Sequence, residues 1–561
     1  MQTQRLSLLP ASVPPFDVIV AIRLARMVDA YPEHFGLLTK FVKSQVEQHA
    51  QALVDIAQQG ERAMSRALLD CVSHITDVDT LRTVFEALPI RTVQLRELAI
   101  VVAAKAATSV EPLPTSPHSV LLHSQHGARL REGGHPSEGF SLLDELVRTE
   151  AFARAPSLIK AHVLCNLGSC LGDLGRAPES LRAHRDAIAF LRRNEPEQMS
   201  SETAHLLAGE LANAAASAMR QSAHADAGAF LEEAADLART IDDMGLKLRI
   251  ELLQLTHMAE TDKLEAALAL GVTLRERVAD LEELESQAHM PAMVDVFINV
   301  GSVLLDLNQP YQALDYLRIA VAMADTIAAD APSPQSELKR LIARVAMLNA
   351  RLLLGETGLH MQARAILCDA GPLAAAHPTA YVTEVRCRVL EIVVQTATAD
   401  PAEMPIRAEV AEMLASSGLG TQPFGDTDVD RMILASHSAA MAYDKLDESL
   451  LALGCARQAV ELAKTRLTSE TMHQRAHRAI LMDSLSRRLY AIGSDEAGLE
   501  AAQEAVRLIV PCWRHREAYR SWLESLLSRL YILCEESQKK RQFEQLMSEL
   551  ELDADTEDDP L

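Results

Sequence analysis

One frame of small and branched residues recurs along the chain, and it constrains the fold more than any other feature. Its clearest copy is Asn166-Leu-Gly-Ser-Cys-Leu171, followed by Gly175, Ser180 and Ala187. Leu164, Leu167 and Leu171 fall at three- and four-residue steps, which places them on one stripe of a helix. Gly175 stands where that helix must end, because glycine takes left-handed turn geometry without steric cost. Small Ser180 and Ala187 then let a second helix approach closely. The frame returns at Gly127, Leu130, Gly134, Gly139 and Leu143, and again at Phe297, Val300, Gly301, Leu304, Ala313, Leu317 and Ala320. Two further copies are Met347, Leu354, Gly358, Ala363, Leu367 and Ala370, and Leu485, Leu489, Gly493, Gly498, Ala502 and Ala505. Weaker copies run from Asn213 to Ala234 and from Ala439 to Ala459, and helical pairs near 246–278 and 380–415 fit more by spacing than by residues. Units of this kind bury their apolar faces against their neighbours in a row.

This arrangement resembles the tetratricopeptide repeat. That consensus has a large residue, Leu-Gly three residues on, an aromatic or Leu, a turn Gly, and two small residues in the second helix. Equivalent positions here lie about 41 to 50 residues apart, or about twice that where a weak unit intervenes, against a usual period of 34. The units therefore have longer helices or longer turns than the consensus. The resemblance covers roughly residues 118–545 and implies an all-α fold, a right-handed superhelical solenoid of antiparallel helix pairs.

Composition agrees. A chain of 561 residues exceeds one compact core, but a solenoid escapes that limit because each unit packs only on its neighbours. Hydrophobic residues make up 48% and aromatics only 4%, so the apolar content is mostly Ala and Leu, both strong helix formers. Ahead of the repeats, residues 1–110 form an N-terminal helical region, extended over 1–14 and broken near Pro32 and Pro89. Val110 to Pro117 contains three prolines and marks the boundary. Pro196, Pro291, Pro332, Pro334, Pro378 and Pro511 are expected between helix pairs. Residues 416–428 read as a long loop, either a hinge or an insertion on one rim. The acidic stretch 550–561 reads as a disordered tail.

The net charge of −24 argues against general nucleic-acid binding and against anionic membrane surfaces. The short basic groups Arg514 with Arg516, and Lys539 to Arg541, read as solvated helix faces. Val18 to Ile22 is interrupted by Arg23 and Arg26, so it cannot span a bilayer, and no basic segment with an apolar signal core precedes it. The eight cysteines form no Cys-x-x-Cys pair and suit a reducing cytoplasm.

No phosphate loop, dinucleotide fold or Gly-x-Ser-x-Gly elbow is present. His473 and His477 share a helix face as zinc ligands do, but Gln474 stands where the metalloprotease helix has its general-base Glu. An ordinary polar helix face is the expectation. His123, His126 and His135 read as packing residues. Cys165 and Cys170 point in different directions on their helix, and neither is expected to have a nearby basic partner to make a thiolate. No catalytic residue, cofactor or metal is expected.

The candidate binding residues come from one register. In the tetratricopeptide class, successive first helices line the concave surface, and an Asn before the consensus Leu can hydrogen-bond the backbone of an extended peptide. Here Gln125, Asn166, Asn213, Asn299, Asn349, Ser438 and Ser484 occupy that position, and Leu252 falls there in a weak unit. An amide both donates and accepts, so it matches a peptide unit without reading side chains. The alternative is that these amides bond between adjacent repeats or to a neighbouring carbonyl. No Lys or Arg falls between Ala161 and Gly175 or between Pro291 and Asp306, so a carboxylate clamp is not expected. The final helix, Ala518 to about Lys539, carries Trp522, Leu526, Leu530 and Leu533, either as a cap on the last repeat or as a contact in a homo-oligomer. These features imply a non-catalytic scaffold or adaptor that binds a protein or peptide. The alternative is a sensor whose repeats control the N-terminal region, as the likeness to some bacterial peptide-responsive regulators suggests.

Overall fold

The structure, a computed structural model, describes residues 16–550 apart from 59–60, 89–94, 111–115, 194–199, 222, 280–282, 331–333, 377–379, 397–428, 465–470, 514–516 and 537–538. The expected hinge at 416–428, the tail beyond 550, and Pro89, Pro196, Pro332 and Pro378 lie outside the described residues. Every regular element among the described residues is a helix. The chain forms two compact units: Met1–Leu174 with Arg182–Thr203 and Ala329–Ser333, and Gly175–Leu181 with Ala204–Ala328 and Pro334–Leu561.

The first unit contains α1 (Val18–Ala30), α2 (Phe35–Gln58), α3 (Arg62–His74), α4 (Val78–Ala87), α5 (Arg96–Val110), α6 (Pro117–Glu132), α7 (Pro136–Val147), α8 (Glu150–Arg154), α9 (Ser157–Asp173) and most of α10 (Ala177–Arg192). Helices α1 to α5 share a core that includes Leu38, Phe41, Leu53, Met64, Leu68 and Leu98. Lys105 on α5 closes the end of α3, its Nζ donating to the carbonyls of Val72, Ser73 and Ile75 at 2.9, 2.6 and 3.1 Å. A cation is favoured there because the last carbonyls of a helix have no partner within it. Ala106 and Ala107 of α5 cluster with Leu122 of α6, and residues 111–115 between these helices lie outside the described residues. Pro117 opens α6 behind a Ser116–Ser119 capping box, where a missing N–H does no harm.

The second unit contains most of α11 (Ser201–Met219), then α12 (His224–Ala238), α13 (Met244–Glu260), α14 (Leu264–Ala279), α15 (Glu283–Asp306), α16 (Pro310–Asp330), α17 (Pro334–Leu353), α18 (His360–Ala376) and α19 (Ala380–Thr396). It continues with α20 (Val429–Lys445), α21 (Ser449–Lys464), α22 (Met472–Ala491), α23 (Asp495–Ile509), α24 (Glu517–Glu536) and α25 (Lys540–Glu549).

One register repeats within the pairs. A small residue of the first helix faces a residue sixteen positions on: Gly127 faces Leu143, Gly168 faces His184 and Gly301 faces Leu317. A Cβ at Gly301 would stand 2.7 Å from Leu317 Cγ, closer than packed carbons approach. Seven residues beyond that position the backbone turns left-handed. Gly134, Gly175 and Gly493 do so with φ of 91°, 78° and 77°, and Asp262, Asn308 and Asp447 with 65°, 57° and 65°. The next N–H returns to a carbonyl five residues back, as in His135 to Leu130 (2.8 Å), Gln309 to Leu304 (2.8 Å) and Ser494 to Leu489 (2.9 Å). This is a Schellman closure, and Asn and Asp are the side chains that best tolerate it after Gly. The helix pairs are tetratricopeptide-like, lengthened as the spacing implied.

Two expectations need correction. Pro291 does not separate pairs but lies inside α15. Its carbonyl accepts from Lys339 Nζ at 2.8 Å. The helix bearing Trp522 is not the last: α25 follows it, and Leu526, Leu530 and Leu533 are buried in a cluster with residues of α22, α23 and α25. That apolar stripe is covered within the chain, as a cap would be.

Candidate partner-binding surface

In the first unit, Gln125 on α6 and Asn166 on α9 are both partly buried. Asn166 Nδ2 donates to Ser124 Oγ at 3.0 Å and to the Ser124 carbonyl at 3.3 Å. Its donor half thus ties α9 to the preceding pair, while Oδ1 has no protein partner among the described residues. Gln125 has no hydrogen bond among the described residues.

In the second unit, Asn299 on α15 does the same. Its Nδ2 donates to Thr256 Oγ1 of α13 at 3.1 Å. The Thr256 hydroxyl hydrogen is itself committed to the Leu252 carbonyl at 3.0 Å, so Thr256 can only accept from Asn299. Asn213 is occupied on both sides: Nδ2 donates to Glu210 Oε1 at 2.9 Å, and Oδ1 accepts from Arg249. Sequence proximity hid that arginine, which comes from the next pair. Lys339 likewise reaches Asp295, one helical turn before Asn299, at 2.6 Å.

Asn349 departs from the others. Gly175 and Asn308 turn the chain nine residues after Asn166 and Asn299, whereas Gly355 turns it six residues after Asn349. A second left-handed residue, Gly358, lengthens this loop. Asn349 therefore sits about one helical turn nearer the end of its helix, and it makes no bond to the preceding pair among the described residues. Ser438 and Ser484 are buried, each 5% exposed. Ser484 Oγ and its carbonyl both accept from Arg488 Nη1 at 2.6 Å. Arg488 is 1% exposed and lies 3.8 Å from Asp444. Burial holds its pKa below the usual arginine range. Nearby, burial and then the Arg488 charge push His437 down to about 4.

Of the three histidines expected to pack, His123 and His126 do so and His135 does not. His123 is buried, its Nδ1 2.8 Å from the Ser119 carbonyl, and burial lowers the pKa of His126. His135 is exposed beside Glu138. His473 is partly buried and His477 exposed on one polar helix face; their rings lie 4.3 Å apart, and His477 meets the Trp522 ring edge-on. Among the described residues no group of three His, Cys, Asp or Glu could hold a metal ion. The reading of Cys170 needs correction, because Arg131 from α6 does bring a positive charge to it. Burial outweighs that charge and pushes the thiol up to about 12. No helix among the described residues is long and apolar enough to cross a membrane.

No protein-family model matches the chain, and no curated protein matches it in sequence. Solved structures do. A Rap protein complexed with Competence and Sporulation Factor aligns at 14% identity and a TM-score of 0.46, covering 72% of this chain and 98% of that one. The APC/C hetero-tetramer Cut9-Hcn1 aligns at 11% identity and a TM-score of 0.35, covering 95% of this chain and 98% of that one.

Proposed function

We propose that this protein is a non-catalytic scaffold or adaptor whose two units each hold a peptide or protein segment against their own first helices, the first through Asn166 and the second through Asn299. The observation that carries this reading is the divided use of the two amides. Each Nδ2 is bound to the preceding helix pair, which fixes the side chain, while each Oδ1 keeps an acceptor for a partner's N–H. A held acceptor loses little rotamer entropy on binding. Gln125 and Asn349 add capacity at the margins. Asn213, Ser438 and Ser484 contribute little, because their groups are already engaged or buried.

A regulatory version of this function has one supporting contact. Gly133 at the end of α6 is packed directly against the Ile100 side chain of α5, so that a Cβ there would displace the Ile100 Cδ1 methyl. A change in the first pair would therefore press on the N-terminal helices, which would be the output region of a sensor. Affinity capture from cells followed by titration of the recovered segment tests the main reading. Weaker binding by Asn166→Ala with Asn299→Ala supports it, and unchanged binding opposes it.

A further inference from the structure

In a row of repeats each pair contacts its neighbours only. The second unit breaks this rule. Tyr519 of α24 donates its hydroxyl to Asp262 Oδ1, in the turn between α13 and α14, at 3.0 Å. The same hydroxyl lies 3.0 Å from His473 Nδ1 on α22. A hydroxyl has one hydrogen, so the proton of that contact is on His473, and Tyr519 accepts it. Gln474 Nε2 stands 3.2 Å from His224 Nε2 on α12. Gln474 Oε1 is fixed by the Thr471 N–H at 3.1 Å, so the amide must present its donor to His224. The His224 proton then sits on Nδ1, which faces Glu260 Oε2 at 3.8 Å. His257 anchors the other side, its Nε2 donating to the His224 carbonyl at 2.9 Å.

We infer that this contact is a latch that holds the second unit closed on itself, and that its release opens the unit. Residues about 250 positions apart meet here through hydrogen bonds, with Trp522 and His477 as flanking rings. Such a contact is separable from the pairwise packing around it. Each helix pair keeps its own apolar core when the latch parts, so opening is a local event with a lower cost than unfolding. The inference does not depend on the binding reading.

The full-length chain with Tyr519→Phe and Asp262→Gly tests it. Phenylalanine keeps the fully buried ring and removes only the hydroxyl, and glycine keeps the left-handed turn at φ 65°. Amide exchange should accelerate about tenfold or more in both 257–264 and 472–478, with a larger radius of gyration and unchanged far-ultraviolet dichroism. Exchange and radius equal to wild type would overturn the latch. Should the double variant fail to fold, a chain with Gln474→p-benzoyl-phenylalanine gives the answer through light-induced cross-linking. Cross-links to the peptide containing His224 support the latch, and cross-links confined to residues C-terminal of 464 overturn it.

Discussion

Asn299 donates its side-chain amide to Thr256 Oγ1 at 3.1 Å, and so joins two successive helix pairs by a bond that leaves its own carbonyl oxygen without a hydrogen bond among the described residues. The bond itself should be measurable. Asn299→Ala and Thr256→Val should each destabilise, and the double-mutant cycle should show a coupling of about 1 kcal/mol. Asn299→Asp should destabilise more than Asn299→Ala, because the carboxylate would face a Thr256 lone pair. Urea unfolding of the four chains checks both statements.

Gly301 makes a sharper packing prediction. A methyl group there would stand 2.7 Å from Leu317 Cγ, so Leu317 or its helix must move. Gly301→Ala should cost about 1–3 kcal/mol of stability despite the better helix propensity of alanine. A rise in the urea midpoint would show that the two helices are less tightly apposed.

His437 should give the chain a specific sensitivity to acid. Burial and Arg488 hold its pKa down to about 4, while in the unfolded chain it titrates near 6.5. Between those values the unfolded state binds a proton and the folded state does not. The neutral-histidine contribution is therefore present above about pH 6.5 and lost as the pH falls toward 4, by up to ~3 kcal/mol. His437→Gln should flatten the difference between unfolding curves at pH 7 and pH 4.5. An equal loss in both proteins would mean that His437 titrates normally.

The thiols should differ widely in reactivity. Cys368 is exposed, whereas Cys71, Cys170, Cys387, Cys455, Cys512 and Cys534 are buried. Burial pushes Cys170 and Cys455 up to about 12 and Cys387 higher still. Since the thiolate is the reactive form, alkylation at pH 8 should modify Cys368 well before those six. Peptide mapping after a short pulse of iodoacetamide identifies the order.

Much of the fold was legible because its punctuation is chemical. Gly134, Gly175 and Gly493 announce their turns, and the apolar stripes between them have helical spacing. Asp262, Asn308 and Asp447 perform the same turn but read in the sequence as ordinary polar residues, so their units looked weaker or their ends less defined. Pro291 misled because a proline within a helix removes one backbone hydrogen bond and need not end the helix. The candidate residues were found by register, but register could not tell their partners. Ser124, Thr256 and Arg249 come from adjacent pairs at a distance in sequence, and the contacts of Asp262 with Tyr519 and of His224 with Gln474 lie far beyond any local pattern.

The most direct test is a calorimetric titration of the captured partner segment into wild-type protein and into the Asn166→Ala, Asn299→Ala variant, each first shown to be folded by its unfolding curve. The variant should bind with a Kd at least about tenfold weaker, the equivalent of about 1.4 kcal/mol. An unchanged Kd in a folded but less stable variant would contradict it, and would leave the two asparagines as braces between helix pairs.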